Sequence, residues 1–239
     1  MKLVSKLSNA IQAFMTQVEA AFAAPASRLQ LLILLDCYTS DHDFQLHAAD
    51  LARHPLMNSL LSSLLLDNCS TVCTIGLTML VKLLPVLAVK ACEELKILLP
   101  RLFVILAKII CWEELCNSTL PSTALVEEED GHSGIGKQAE YRGLAALQLR
   151  PELGWERVEL RVTTSAAPPS DAYFSSLYYF FPCNLIRFVR GPVAYLRDRD
   201  YESPYNVGWE DALDEDDIRS KSEVCASSLC FDLSFDMCA

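Results

Sequence analysis

The chain has 239 residues, a net charge of −11, 51% hydrophobic residues, 8 glycines and 11 prolines. At about 100–200 residues per domain, this predicts one domain with tails or two small ones. The apolar content excludes a wholly disordered chain, and the low Gly and Pro counts exclude collagen-like and low-complexity classes.

The charge is local. It sits at Glu127, Glu128, Glu129 and Asp130 and in residues 198–217, so the remainder is near neutral. That leaves no basic surplus of the kind counterion release demands of a nucleic-acid binder, and no nucleic-acid partner is expected.

Residues 2–23 place Val4, Leu7, Ile11, Phe14, Val18 and Phe22 on one helical face. Asn9, Gln12, Gln17 and Glu19 interrupt any apolar h-region, so an amphipathic helix is predicted rather than a secretory signal, ended by Pro25. Residues 27–38 predict a second helix, apolar nearly all round at Leu29, Leu32, Ile33 and Leu35, as a core helix is. Residues 42–53 read as a shorter, more polar helix. His54-Pro55 starts the next, which runs through Leu56, Leu60, Leu61, Leu64 and Leu65. Asp67 or Asn68 is the expected cap of a helix carrying Val72, Ile75, Met79, Leu80 and Leu83.

Pro85 and Pro100 each remove a helical N–H and clash with the preceding turn, predicting helices at 86–99 and 101–116. The apolar run 72–112 is broken by Lys82, Lys90, Glu93, Glu94, Lys96, Arg101 and Lys108, so it reads as buried helices rather than a transmembrane span. Residues 1–125 therefore predict six or seven helices. The fold class is all-α: an α-solenoid of HEAT-like helix pairs, with no clean repeat at about 40–47 residues.

Residues 126–170 change character and read as an irregular surface insertion, acidic and then Gly-rich. Alternation over 157–162 suggests one exposed strand there. Helical character returns over 171–196, as part of the same domain. Residues 197–239 are acidic, weakly periodic until Val224, and read as a mostly disordered tail.

Few residues point to chemistry. Gly131, Gly136 and Lys137 fit the phosphate-cradling G-x-x-x-x-G-K pattern, but Gln138 stands where a Ser or Thr would hold Mg²⁺, and four acids precede it instead of an apolar strand. Residues 131–138 read better as a Gly-rich loop; a nucleotide-binding protein is the alternative. The ten cysteines lie mostly in apolar stretches and read as reduced, buried thiols. Cys69 and Cys73 share a helix face, yet no second pair has ligand spacing, so no metal and no cofactor is expected. Lys90, Arg101 and Lys108, spaced by 11 and 7, fall on one face if helix continues through Pro100. Such a stripe would suit an anionic lipid surface, and a helical membrane-surface adaptor is a further alternative.

Two segments resemble a known family. One joins 27–35 and 54–67 and runs on from 76–85 to Cys111-Trp112. The other is 173–190, with the string Leu177-Tyr-Tyr-Phe-Phe-Pro-Cys-Asn-Leu185. Together they resemble the N-terminal helical domain of the hamartin family, the scaffold subunit of the tuberous sclerosis complex, over about half the chain. The resemblance implies a non-enzymatic scaffold, cytoplasmic and peripheral to the vacuole or lysosome membrane. It would stabilise a tuberin-type GTPase-activating subunit and so restrain Rheb and target-of-rapamycin signalling. No catalytic residue carries over. No sustained heptad run follows residue 197 to match the family's coiled coil. By the same resemblance, Leu177, Phe181 and Cys183 face the core formed by 86–116. Tyr179 and Arg187 lie nearer the surface as candidate interaction residues.

Overall fold

The computed structural model of the chain describes residues 2–112, 144, 147–158 and 167–235, with side chains at 9–112, 144, 147–158 and 167–227. These residues form α1 (Lys2–Phe22), α2 (Pro25–Thr39), α3 (Ala48–Arg53), α4 (Pro55–Leu66), α5 (Ser70–Lys90) and α6 (Cys92–Ile110). The chain returns as α7 (Asp171–Phe180), α8 (Pro182–Arg190), α9 (Pro192–Arg197), α10 (Trp209–Ala212) and α11 (Glu215–Phe235). Single 3₁₀ turns occupy His42–Leu46 and Pro151–Leu153, and one antiparallel bridge joins Leu149 to Tyr205. The fold class is all-α, as the sequence predicts.

Proline sets many of the boundaries. Pro25, Pro55, Pro182 and Pro192 each occupy the first turn of a helix, where the missing N–H has no intrahelical partner to lose. Before α4, His54 adds a cap: its Nδ1 accepts from the Leu56 N–H at 3.1 Å. The helix expected over 42–53 is divided at His47, because the Asp41 side chain accepts from Asp43 N–H at 2.9 Å and winds the first part into a 3₁₀ turn.

The helices stack in layers. α1 lies on α2 and α4; α2, α3 and α4 pack on α5; α6 packs against α4 and α5. α7 continues the stack on α5, and α11 closes over α6, α7 and α8. One continuous core runs through them, from Met15 and Phe22 through Leu60, Leu64, Leu80 and Phe103 to Phe188, Tyr195 and Ile218.

Four expectations are corrected. Helix is not broken at Pro85 or Pro100; both lie inside helices, and the break falls at Ala91 (φ −146°, ψ 45°). An interior proline costs about 3 kcal/mol. Leu83, Leu84 and Leu87 around one, and Leu99, Leu102 and Phe103 around the other, are all buried, at about 1.5–3 kcal/mol each, so packing outweighs it. The Asp67 carboxylate does not cap α5, whose N-cap is Cys69 without a side-chain bond.

The insertion does not project throughout: residues 147–158 are docked on the stack. Asn68 N–H donates to Val158 O, Arg150 N–H to Pro204 O and Asn206 N–H to Gln148 O, each at 3.0 Å. Arg157 and Val158 are described but lie outside any strand, and 159–162 lie outside the described residues. The acidic tail is folded as far as it is described, because most of its sparse apolar residues are used. Tyr205, Trp209, Ala212, Leu213 and Ile218 are buried. Its acids serve as caps: Asp214 Oδ1 accepts from Asp216 and Asp217 N–H at the start of α11, and Glu215 Oε1 accepts from Val193 N–H at the start of α9, each at 3.0 Å.

Candidate functional site

The densest polar cluster lies inside the stack, where α1 hands over to α2 and α4 to α5. Arg28, on the first turns of α2, is fully buried. Its guanidinium donates to Asp67 Oδ1 (2.7 Å), Phe22 O (3.0 Å), Ala23 O (3.1 Å) and Glu156 O (2.7 Å), and it stacks 3.9 Å over the Trp155 ring. Two of these acceptors are carbonyls left unpaired at the end of α1, so the arginine acts as that helix's C-terminal cap.

Asp67 is fully enclosed. Its Oδ1 also accepts from Trp155 Nε1 (3.1 Å) and Val158 N–H (3.0 Å), and its Oδ2 from Ser63 Oγ (2.6 Å). Lys108, on α6, completes the cluster. Its ammonium donates to Leu64 O at 3.1 Å and to Asp67 O, the unpaired carbonyls at the end of α4. Burial pulls the Lys108 pKa down, with Cys73 and Asp67 opposing. Burial likewise pushes the Cys73 thiol up to about 11. Arginine, carboxylate and ammonium thus tie α1, α2, α4, α6 and residues 155–158 at one point. Every polar group in the tie is turned toward protein, with no open face for a substrate.

This placement corrects the proposed lipid stripe. Arg101 and Lys108 do share a face of α6, but that face meets α4: Arg101 donates to Asn58 O (3.3 Å), Asn58 Oδ1 (3.2 Å) and Ser62 Oγ (3.0 Å). Lys90 is exposed on a different helix, beyond the Ala91 break. The three cations form no common surface.

α7 and α8 carry the aromatic segment. Tyr173, Phe174 and Leu177 are buried, and the Tyr173 hydroxyl donates to Leu102 O at 3.0 Å. Leu177 faces the core as expected. Phe181 is half-buried and Cys183 is exposed, which corrects the expected phase. Helix ends at Phe180 and Pro182 restarts it at a new rotation, so the inward positions become Leu185 and Phe188. Phe188 packs on Phe103, with ring centroids 5.4 Å apart, and on Tyr195 at 5.7 Å. Tyr179 is 79% exposed, and the exposed Arg187 pairs with Asp198 at 2.6 Å.

Residues 131–138, with Lys137 and Gln138, lie outside the described residues. Among the described residues no three His, Cys, Asp or Glu side chains gather as metal ligands would. α5 is long and apolar enough to cross a membrane by length and composition, and half of its most apolar window is buried within the stack.

Stacked helices around one shared core, with polar groups directed to helix ends, define a HEAT-like α-solenoid architecture. No protein-family model matches the chain, and no curated protein matches it. Among solved structures the fold is similar to that of a TSC1 N-terminal domain: TM-score 0.57, 22% sequence identity, over 90% of this chain and 45% of that one. The chain thus spans less than half the length of the structure it matches.

Proposed function

We propose that the chain is a non-enzymatic scaffold module of hamartin type, which holds and stabilises a tuberin-type GTPase-activating subunit and through it restrains Rheb and target-of-rapamycin signalling. The observation that carries this reading is the fold shared with the TSC1 N-terminal domain over 90% of the chain. The resemblance of 177–185 to the hamartin string supports it. So does the use of the enclosed charged cluster for helix-end carbonyls, which leaves it no reacting partner. On this reading the protein works in the cytoplasm, peripheral to the vacuole or lysosome membrane. The test mixes the purified chain with a tuberin-type subunit and follows both by size-exclusion chromatography and by the subunit's half-life in cells. Co-elution with a lengthened half-life is expected. Separate elution with an unchanged half-life contradicts the proposal.

A further inference from the structure

A shallow apolar groove of about 280 Å³ runs between α7, α8 and α11. Phe174 and Tyr178 come from α7, Leu185, Ile186 and Val189 from α8, and Ala226 from α11. Two features mark it as unfinished. Tyr178 and Ile186 are 46% and 41% exposed at its edge, beside Tyr179 at 79%. The Ser222 hydroxyl lines it, in a residue only 3% exposed, and has no hydrogen-bond partner. An unsatisfied buried hydroxyl costs about 1–3 kcal/mol.

The rim charges say what fits. Arg219 is bound to Asp216 at 2.9 Å, and Arg187, just outside, to Asp198. Arg190 on the α8 wall and Glu223 on the α11 wall are exposed, and neither makes an ion pair among the described residues. An occupant complementary to both walls is amphipathic: apolar residues one turn apart along the floor, an acid toward Arg190 and a base toward Glu223. Helix-in-groove recognition has this pattern of anchors at i, i+3 or i+4. The groove is also smaller than the roughly 300–1,000 Å³ of a small-molecule pocket.

We infer that the groove between α7, α8 and α11 is the docking site for an amphipathic helix of a partner protein, oriented by Arg190 and Glu223. This inference rests on the scaffold reading and names one of its contact surfaces.

The test selects a phage-displayed library of short amphipathic helical peptides on the immobilised chain. Ile186→Asp and Ala226→Arg place charges on opposite walls and serve as counter-selectors, each first checked for the parent's melting curve. If Ala226→Arg fails to fold, Ile186→Asp carries the test alone. Expected are peptides with paired apolar anchors and an acid, binding about tenfold or more weakly to the counter-selectors, as loss of an interface anchor does. Arg190→Glu should shift the selected acid to a base. No enrichment, or enrichment unaffected by Ile186→Asp, overturns the inference. So does dimerisation of the parent that Ile186→Asp abolishes, which would make the occupant a second copy. Failure here with tuberin-type co-elution intact removes the groove and leaves the scaffold reading standing.

Discussion

Arg28 and Asp67, 39 residues apart in the chain, form a fully buried ion pair at 2.7 Å. The pair sits at two helix–helix corners at once, and each partner also binds the segment that returns from the far side of residues 113–143. A buried pair of this kind is weak evidence of net stabilisation, because desolvation offsets the Coulomb attraction. Its consequence is specificity of assembly. With Arg28 on α2 and Asp67 at the end of α4, other registers of α2 against α4 would strand a charge in the core.

Trp155 should act as the latch for residues 147–158. Its indole donates to Asp67 at 3.1 Å and its ring covers the Arg28 guanidinium. Trp155→Ala removes a hydrogen bond to a charged acceptor, about 1.5–3 kcal/mol, and a desolvated cation–π contact of about 2 kcal/mol. Amide exchange should quicken across 148–158 while α5 and α6 keep their protection. Unchanged exchange over 148–158 would mean that the Leu149–Tyr205 bridge and the bonds of Glu156 and Val158 to Arg28, Asp67 and Asn68 hold the segment without the indole.

Phe188→Ala should destabilise the chain by about 3–5 kcal/mol, since it empties a fully buried site between Phe103 and Tyr195. Cys183→Ser, on an exposed position, should stay within about 0.5 kcal/mol of the parent. Denaturant melts read both. The same geometry predicts thiol reactivity: among the seven cysteines with described side chains, alkylation followed by peptide mapping should find Cys37 and Cys183 modified first and Cys73 only on unfolding.

The sequence carries the helix periods well and the phase after a break poorly. Leu177 was legible because its helix runs uninterrupted from Asp171; Cys183 was not, because Pro182 resets the rotation by an amount that no pattern records. The polar hub was missed for a different reason. Asp67 follows an apolar helix, where an acid reads as a cap. The available signal was that Lys108 interrupts the apolar run 102–110 and Arg28 lies next to the apolar stretch 29–35, and a charge placed there needs a buried partner. The folded tail was hidden by composition: nine acids in 198–217 mask Tyr201, Tyr205, Trp209 and Leu213, which are enough to fix it.

Gly76 lies where α5 approaches α4 so closely that a Cβ would stand 2.5 Å from Leu64 Cδ2 and 3.1 Å from its Cγ. Leu64 is fully buried and has no free direction of retreat. Gly76→Ala should therefore cost about 1–3 kcal/mol despite its better helix propensity. Leu64→Val in the same chain should recover part of that loss in thermal melts. A Gly76→Ala chain as stable as the parent would show the two helices free to separate.

Alkaline pH should unfold the chain cooperatively. Burial raises the pKa of Cys73 to about 11 and raises those of Tyr38, Tyr173, Tyr195, Tyr201 and Tyr205. For a group raised in the folded state, its stabilisation is complete below the unfolded pKa and is lost as pH climbs toward the folded one. Those unfolded values are 9.0 for the thiol and 10.0 for tyrosine, so the loss starts near pH 9 and steepens above 10. Lys108 opposes it, since its lowered pKa makes the unfolded chain bind more protons below lysine's ordinary value of 10.5. One opposing lysine against the raised thiol and tyrosines leaves the net slope downward. Melting temperature followed from pH 8 to 11 reads it, and a flat profile contradicts it.

The buried tie between α2 and the α4–α5 corner is tested most directly by a double-mutant cycle on Arg28 and Asp67, read in denaturant melts. Asp67→Ala should cost about 3–5 kcal/mol, because it leaves an arginine enclosed without its counter-charge. Arg28→Met should cost a similar amount by stranding the carboxylate and the two carbonyls that end α1. The double variant Arg28→Met with Asp67→Ala should be distinctly more stable than the sum of the single losses predicts, by about 0.5–3 kcal/mol of coupling. Additive losses in the two single variants and the double one would contradict the account, since they would mean that the two residues stabilise separate parts of the fold.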